Sequence, residues 1–150
     1  MTTLQGTRKP SQRSHSTLLW LLYLGDAALL VTSGLIHLHL WDIAYRHVKT
    51  LDVLFLVQVA LCLLAALILL VTRHLVVVLG AAALMAGTIV GFLLARSVGI
   101  FGFRLTFSSG LAYTVLVVEG AAVVMLALTG WLQWQQRGGS QLGLPPPDTN

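Results

Sequence analysis

Four long apolar runs, at about 17–41, 51–72, 75–95 and 111–133, separated by short polar junctions, constrain this chain more than any other feature. Each is long enough to cross a hydrocarbon core of ~30 Å at ~1.5 Å per helical residue. In such a core no water is present to satisfy backbone N–H and C=O groups, so a spanning segment of this length must be a helix. With 57% hydrophobic and 9% charged residues the chain is far from the ~25% charged average of soluble domains. The fold class expected is all-α: a polytopic membrane protein built as a four-transmembrane-helix bundle. Runs two and three are separated only by Arg73 and His74, which makes them antiparallel neighbours.

The organisation follows from the same runs. Residues 1–16 are polar and basic, with Arg8, Lys9, Arg13 and Pro10, and read as a disordered head. Residues 17–136 form the four-helix transmembrane domain. Residues 137–150, with the sequence GGSQLGLPPPDTN after Arg137, read as a disordered tail. The first run is too long for a signal-peptide core and lacks a small-x-small cleavage site, so it is expected to be retained as an anchor. Lys and Arg flanking the helices number five on one side (Arg8, Lys9, Arg13, Arg73, Arg137) and four on the other (Arg46, Lys49, Arg96, Arg104). That bias places both termini in the cytoplasm and the protein in the cell membrane. Trp20, Trp131 and Trp134 fall at one interface and Trp41 at the other, as amphipathic rings at headgroup level should.

Several function classes drop out. The net charge of +4 comes from scattered basic residues and few acids, not from a basic stripe, so nucleic acid is not an expected partner. A single cysteine, Cys62, excludes an internal disulfide and reads as a small buried apolar residue. No nucleophile and base pair, phosphate loop or well-spaced metal motif is present, which weighs against an enzyme.

The informative residues are ionisable groups inside the runs, which cost about 2.5–3.5 kcal/mol each on insertion scales. Glu119 lies about 12 Å below the outer start of run four, Gln58 about 10 Å below the start of run two, and His37 about 6 Å below Trp41, at ~1.5 Å per residue. Arg96 ends run three and Tyr113 stands near the mouth. These five residues define an expected polar layer in the outer half of the bundle. Its plainest reading is a clasp in which Arg96 or His37 pairs with Glu119; its functional reading is a pocket open to the outer leaflet. A metal there would have only His37 and Glu119 as suitable ligands, because His39 points about 200° away from His37 on the same helix. No metal or other cofactor is therefore expected. Asp26 is a second intramembrane acid, near one stripe with Ser33 and His37, and no repeat or broken helix beside it suggests a transporter.

Two further features concern packing. Ala83, Gly87, Gly91 and Ala95 form a ridge of small residues at spacing four on run three, which lets another backbone approach closely. The expected partner is another helix of this chain, with a second copy as the alternative. The outer loop 96–110, RSVGIFGFRLTFSSG, is apolar for a loop, and Phe101, Phe103 and Phe107 are expected on the membrane surface, over the pocket or against a partner.

The order SGLIHLHLW, LDVLFLVQVALCLLAALILL, ARSVGIFGF and VLVVEGAAVVMLAL resembles a broad group of small bacterial four-helix integral membrane proteins with no assigned activity. The resemblance rests on a His late in helix one (His37), a Leu-Phe-Leu stretch opening helix two (54–56), an Arg-Ser-Val-Gly run leaving helix three (96–99) and a Glu within helix four (Glu119). It spans roughly residues 30–128. Where that group has a Pro soon after the Gly, this chain has Ile100-Phe101-Gly102. The architecture is also loosely similar to DoxX-like four-helix proteins. The resemblance implies that His37, Arg96 and Glu119 act together.

The resulting expectation is a non-enzymatic membrane accessory protein or subunit, in contact with the lipid bilayer and with another membrane protein or a second copy. The alternative is a small-molecule, quinone or metal-handling protein, or an ion or solute pathway.

Overall fold

The computed structural model describes residues 11–48, 50–98 and 110–141. Four helices make up the fold: α1 (Ser11–Leu40), α2 (Leu51–Thr72), α3 (Leu75–Ser97) and α4 (Gly110–Gln141), with a π-helical turn, Trp41–Tyr45, continuing α1. All four are long and apolar enough to cross a membrane, and the chain is a multi-pass all-α membrane protein. The expected head and tail need correction. Ser11 to Ser16 already belong to α1, and Arg137 to Gln141 still belong to α4. Residues 1–10 and 142–150 lie outside the described residues. Hydropathy marks where lipid begins, whereas backbone hydrogen bonding carries a helix on through polar residues.

The helices pack in a ring. α1 lies between α2 and α4, α4 lies between α1 and α3, and α2 touches α3 more lightly; the diagonal pairs do not approach each other among the described residues. The tight α2–α3 connection is made at Arg73, which adopts the left-handed conformation (φ 50°) and donates its backbone N–H to Leu69 O at 3.0 Å. His74 then extends (φ −81°, ψ 137°), and its carbonyl accepts from Val77 and Val78 as α3 begins. A left-handed residue closing a helix is the usual way to satisfy its last carbonyls, and here a non-glycine residue takes that position.

Burial runs opposite to that of a soluble protein. Large apolar side chains such as Val71 (72% exposed), Val76 (77%) and Val117 (70%) cover the outside, while Asp26, Ser33, His37, Glu119, Thr129 and Gln133 are buried. Polar groups kept inside and apolar groups outside are what a lipid solvent selects. The buried stripes repeat at three and four residues: Tyr23, Ala27, Leu30 and His37 on α1, and Val115, Glu119, Ala122, Leu126, Thr129 and Gln133 on α4. Cys62, Leu69, Val78 and Met85 complete the interior from α2 and α3.

Lipid tails are as apolar as leucine, so the helices associate through close packing and interhelical hydrogen bonds. α1 comes close to α2 at Gly34, where an added Cβ would lie 3.3 Å from Cys62 Cβ and 3.7 Å from the Val59 carbonyl oxygen. The small-residue ridge of α3 does something else. Ala83 and Gly87 are exposed, Gly91 and Ala95 half-buried, and an added Cβ at Gly87 or Gly91 would meet nothing within 4 Å. Among the described residues no intrachain partner meets these glycines. The ridge lies on the opposite side of α3 from Val78, Ala81 and Met85, which are the residues turned to the core.

Candidate functional site

The buried polar residues fall along the seam between α1 and α4. At its end nearest the α2–α3 turn the Gln133 amide donates to the Tyr23 hydroxyl and, at 2.8 Å, to the Arg73 carbonyl of that turn. One turn outward, the Thr129 hydroxyl donates to Asp26 Oδ2 at 2.6 Å. Three turns further, His37 Nε2 lies 3.6 Å from Glu119 Oε1. The three pairs share one antiparallel register. From Tyr23 to Asp26 the chain climbs 3 residues on α1 while Gln133 to Thr129 descends 4 on α4, and the next step is 11 against 10.

Each polar side chain is placed by its own helix. Asp26, Ser33 and His37 share the buried stripe of α1, at 0%, 1% and 6% exposure. His37 is oriented by its Nδ1, which donates to the Ser33 carbonyl one turn earlier at 2.9 Å. A carbonyl only accepts, so Nδ1 carries hydrogen and Nε2 faces Glu119. The His37 ring also packs on Phe55 (centroids 5.5 Å apart), and Phe55 stacks on Tyr45 at 4.5 Å, which ties the π-helical turn to α2. Glu119 is fully buried, and neither of its carboxyl oxygens has a hydrogen-bond partner among the described residues. Asp26 Oδ1 is likewise unpartnered.

The remaining residues of the expected layer go elsewhere. Gln58 is half-buried and spans the lightly packed α2–α3 side, its amide donating to Thr88 Oγ1 at 2.7 Å and to Cys62 Sγ at 3.6 Å. Arg96 is exposed, and among the described residues it is His37 that meets Glu119. Tyr113 is 60% exposed. Phe101, Phe103 and Phe107 lie outside the described residues.

Sequence reasoning missed Tyr23, Thr129, Gln133 and Thr88. A signal for the first three was present, since Glu119, Ala122, Leu126, Thr129 and Gln133 trace a single 3–4 stripe. Laid antiparallel against the Asp26 to His37 stripe, it sets Thr129 opposite Asp26.

Among the described residues no three of His, Cys, Asp and Glu come together, whereas a structural zinc site needs four ligands and a catalytic one three. At the inner rim the Arg73 guanidinium lies 3.7 Å above the Trp20 ring, a cation–π contact that joins the turn to α1.

Fold and seam together define the class: a four-span helical membrane protein with a polar α1–α4 interface. The chain matches no protein-family model, and it is similar to none of the curated proteins or solved structures with which it was compared.

Proposed function

We propose that this protein is a non-enzymatic accessory protein or subunit of the cell membrane, and that the α1–α4 seam is a clasp fixing the register of its bundle. One observation carries the reading: three polar pairs, far apart in sequence, meet along a single interface in a single register. Polar contacts between helices specify which faces meet, because sliding one helix by a turn strands several polar groups in lipid. The seam does not favour an ion pathway. Leu30 and Leu126, both fully buried, separate the Asp26–Thr129 pair from Ser33 and the His37–Glu119 pair, so the polar groups form separate steps. The likeness of His37 and Glu119 to the small bacterial four-helix group supports assigning them a joint role.

The proposed orientation has both termini cytoplasmic, from the five-to-four excess of basic residues on that side. A reporter fused after Asn150 is expected to be active only in a cytoplasmic assay; activity only outside the cytoplasm overturns the orientation. The accessory reading is tested on protein purified in mild detergent, by metal analysis and visible absorption alongside Glu119→Gln. Stoichiometric metal or a chromophore that disappears in the variant would replace the clasp by a cofactor site. A colourless, metal-free protein keeps the clasp in front.

A further inference from the structure

The three pairs of the seam are not alike. At the inner half, hydrogens are supplied by an amide and a hydroxyl, Gln133 to Tyr23 and Thr129 to Asp26, and neither donor depends on a titrating proton. At the outer half the facing atoms are His37 Nε2 and Glu119 Oε1, 3.6 Å apart. Because Nδ1 holds its hydrogen against the Ser33 carbonyl, a neutral His37 presents a lone pair at Nε2. A Glu119 carboxylate presents lone pairs only. Without an additional proton, two acceptors face each other in a site where Glu119 has no other hydrogen-bond partner among the described residues.

We infer that the His37–Glu119 pair is a binding site for a single exchangeable proton, and that this proton latches the outer end of α1 to α4. Held on the carboxyl it donates to Nε2; held on Nε2 it donates to the carboxylate. Either way a donor meets an acceptor, and the separation closes by about 0.7 Å to a hydrogen bond of ~2.9 Å. A second proton still leaves a donor facing an acceptor. Only loss of the last proton sets lone pair against lone pair, so the latch releases as pH is raised and holds as pH is lowered. The inner pairs then act as the hinge.

Among the described residues no other buried charge at this end offers the carboxylate a partner. On α2, Cys62 is a buried thiol and the Asp52 carboxyl already accepts from the Val53 N–H at 2.7 Å. Tyr45 of the π-helical turn stacks on Phe55. Arg96 of α3 and Tyr113 of α4 are exposed, as is His39, while Asp26 lies three turns inward against Thr129. The inference rests on the seam being a clasp, yet the two can fail separately, since a clasp could hold at every pH.

The test uses the full chain in lipid nanodiscs with spin labels at the exposed outer positions 38 and 117 and, as a control, at the exposed inner positions 24 and 128. The expected result is an outer distance that lengthens as pH is raised while the inner distance stays fixed. In Glu119→Gln the amide supplies a hydrogen that cannot be titrated away, and the outer distance is expected to stay short across the same range. An outer distance independent of pH in the wild type overturns the latch, as does pH-dependent lengthening that persists in the variant. A Glu119→Gln protein that does not fold also overturns it, because the amide provides the one hydrogen the site is said to require. If both distances shift together, the clasp reading fails with it.

Discussion

The Asp26–Thr129 pair gives the seam its sharpest quantitative test. Thr129→Val keeps the branched shape of the side chain and removes the hydroxyl that donates to Asp26 Oδ2 at 2.6 Å. Asp26 Oδ1 already lacks a partner, so the variant strands a whole carboxyl group at a position with no exposure. A stranded buried polar group costs about 1–3 kcal/mol in water-soluble proteins. Interhelical hydrogen bonds inside membranes average about 0.6 kcal/mol with a maximum near 1.7, because the separated helices find other partners. The expected loss for Thr129→Val is therefore about 1–2 kcal/mol. Asp26→Val removes the acceptor and leaves only a hydroxyl, which can turn back to its own helix carbonyl, so it costs less. In the double variant no polar group remains to be stranded, and its loss should fall short of the sum of the two single losses by about 1 kcal/mol. Reversible unfolding in mixed micelles, followed by far-ultraviolet circular dichroism, measures all four corners of the cycle. Losses that add to within about 0.3–0.5 kcal/mol would mean that the two side chains do not interact, and the seam would lose its middle pair.

Three further outcomes are expected. Glycines distinguish the inside of the bundle from its outside: Gly34→Leu should separate α1 from α2 and cost at least the ~1–3 kcal/mol of an overpacked core, since even a Cβ there lies 3.3 Å from Cys62 Cβ. Gly87→Leu, in open space, should leave thermal stability of the isolated chain unchanged or raised, and a marked loss would show that the ridge is covered. At the outer pair, His37→Leu with Glu119→Leu should be tolerated better than Glu119→Leu alone, because the double change leaves no unpaired side chain; a thermal-shift series in which the double variant falls as far as the sum of the singles counts against the clasp. Gln58→Leu should lower stability by about 0.6–1.7 kcal/mol through loss of its 2.7 Å bond to Thr88 across the light α2–α3 contact. Thr88→Val in the same background should then add little, and a full further loss would refute the pairing.

The four spans were legible because lipid imposes a long, nearly charge-free run on any segment that crosses it, and no other fold consumes such runs so economically. The helix ends were not legible from the same signal, since hydropathy records the solvent and helicity records the backbone. Ser11 to Ser16 are helical and polar at once. His37 and Glu119 could be singled out by type and depth, and the structure sets them 3.6 Å apart. Arg96 could not be assigned in the same way, because a long cation at a helix end reaches outward as readily as inward, and here it is exposed. The direction of the small-residue ridge was hidden for a related reason. Spacing four shows that small residues share a face, but not which way that face turns.

Register is the property that local reading lacked and that the seam supplies. A helix stripe read alone yields candidates such as Asp26, with no means of choosing a partner among the polar residues of three other helices. Two stripes read against each other leave one antiparallel alignment in which Tyr23, Asp26 and His37 meet Gln133, Thr129 and Glu119 together. Shifting that alignment by one turn breaks all three pairs at once: in one direction Asp26 comes opposite Leu126 and Glu119 opposite Ser33, in the other Asp26 comes opposite Gln133 and Glu119 opposite Trp41, and a polar group left without its partner inside the bundle costs about 1–3 kcal/mol, more than a made bond returns. The polar pairs therefore discriminate between registers by more than they stabilise the correct one, which is why a seam of modest hydrogen bonds can fix how the bundle assembles.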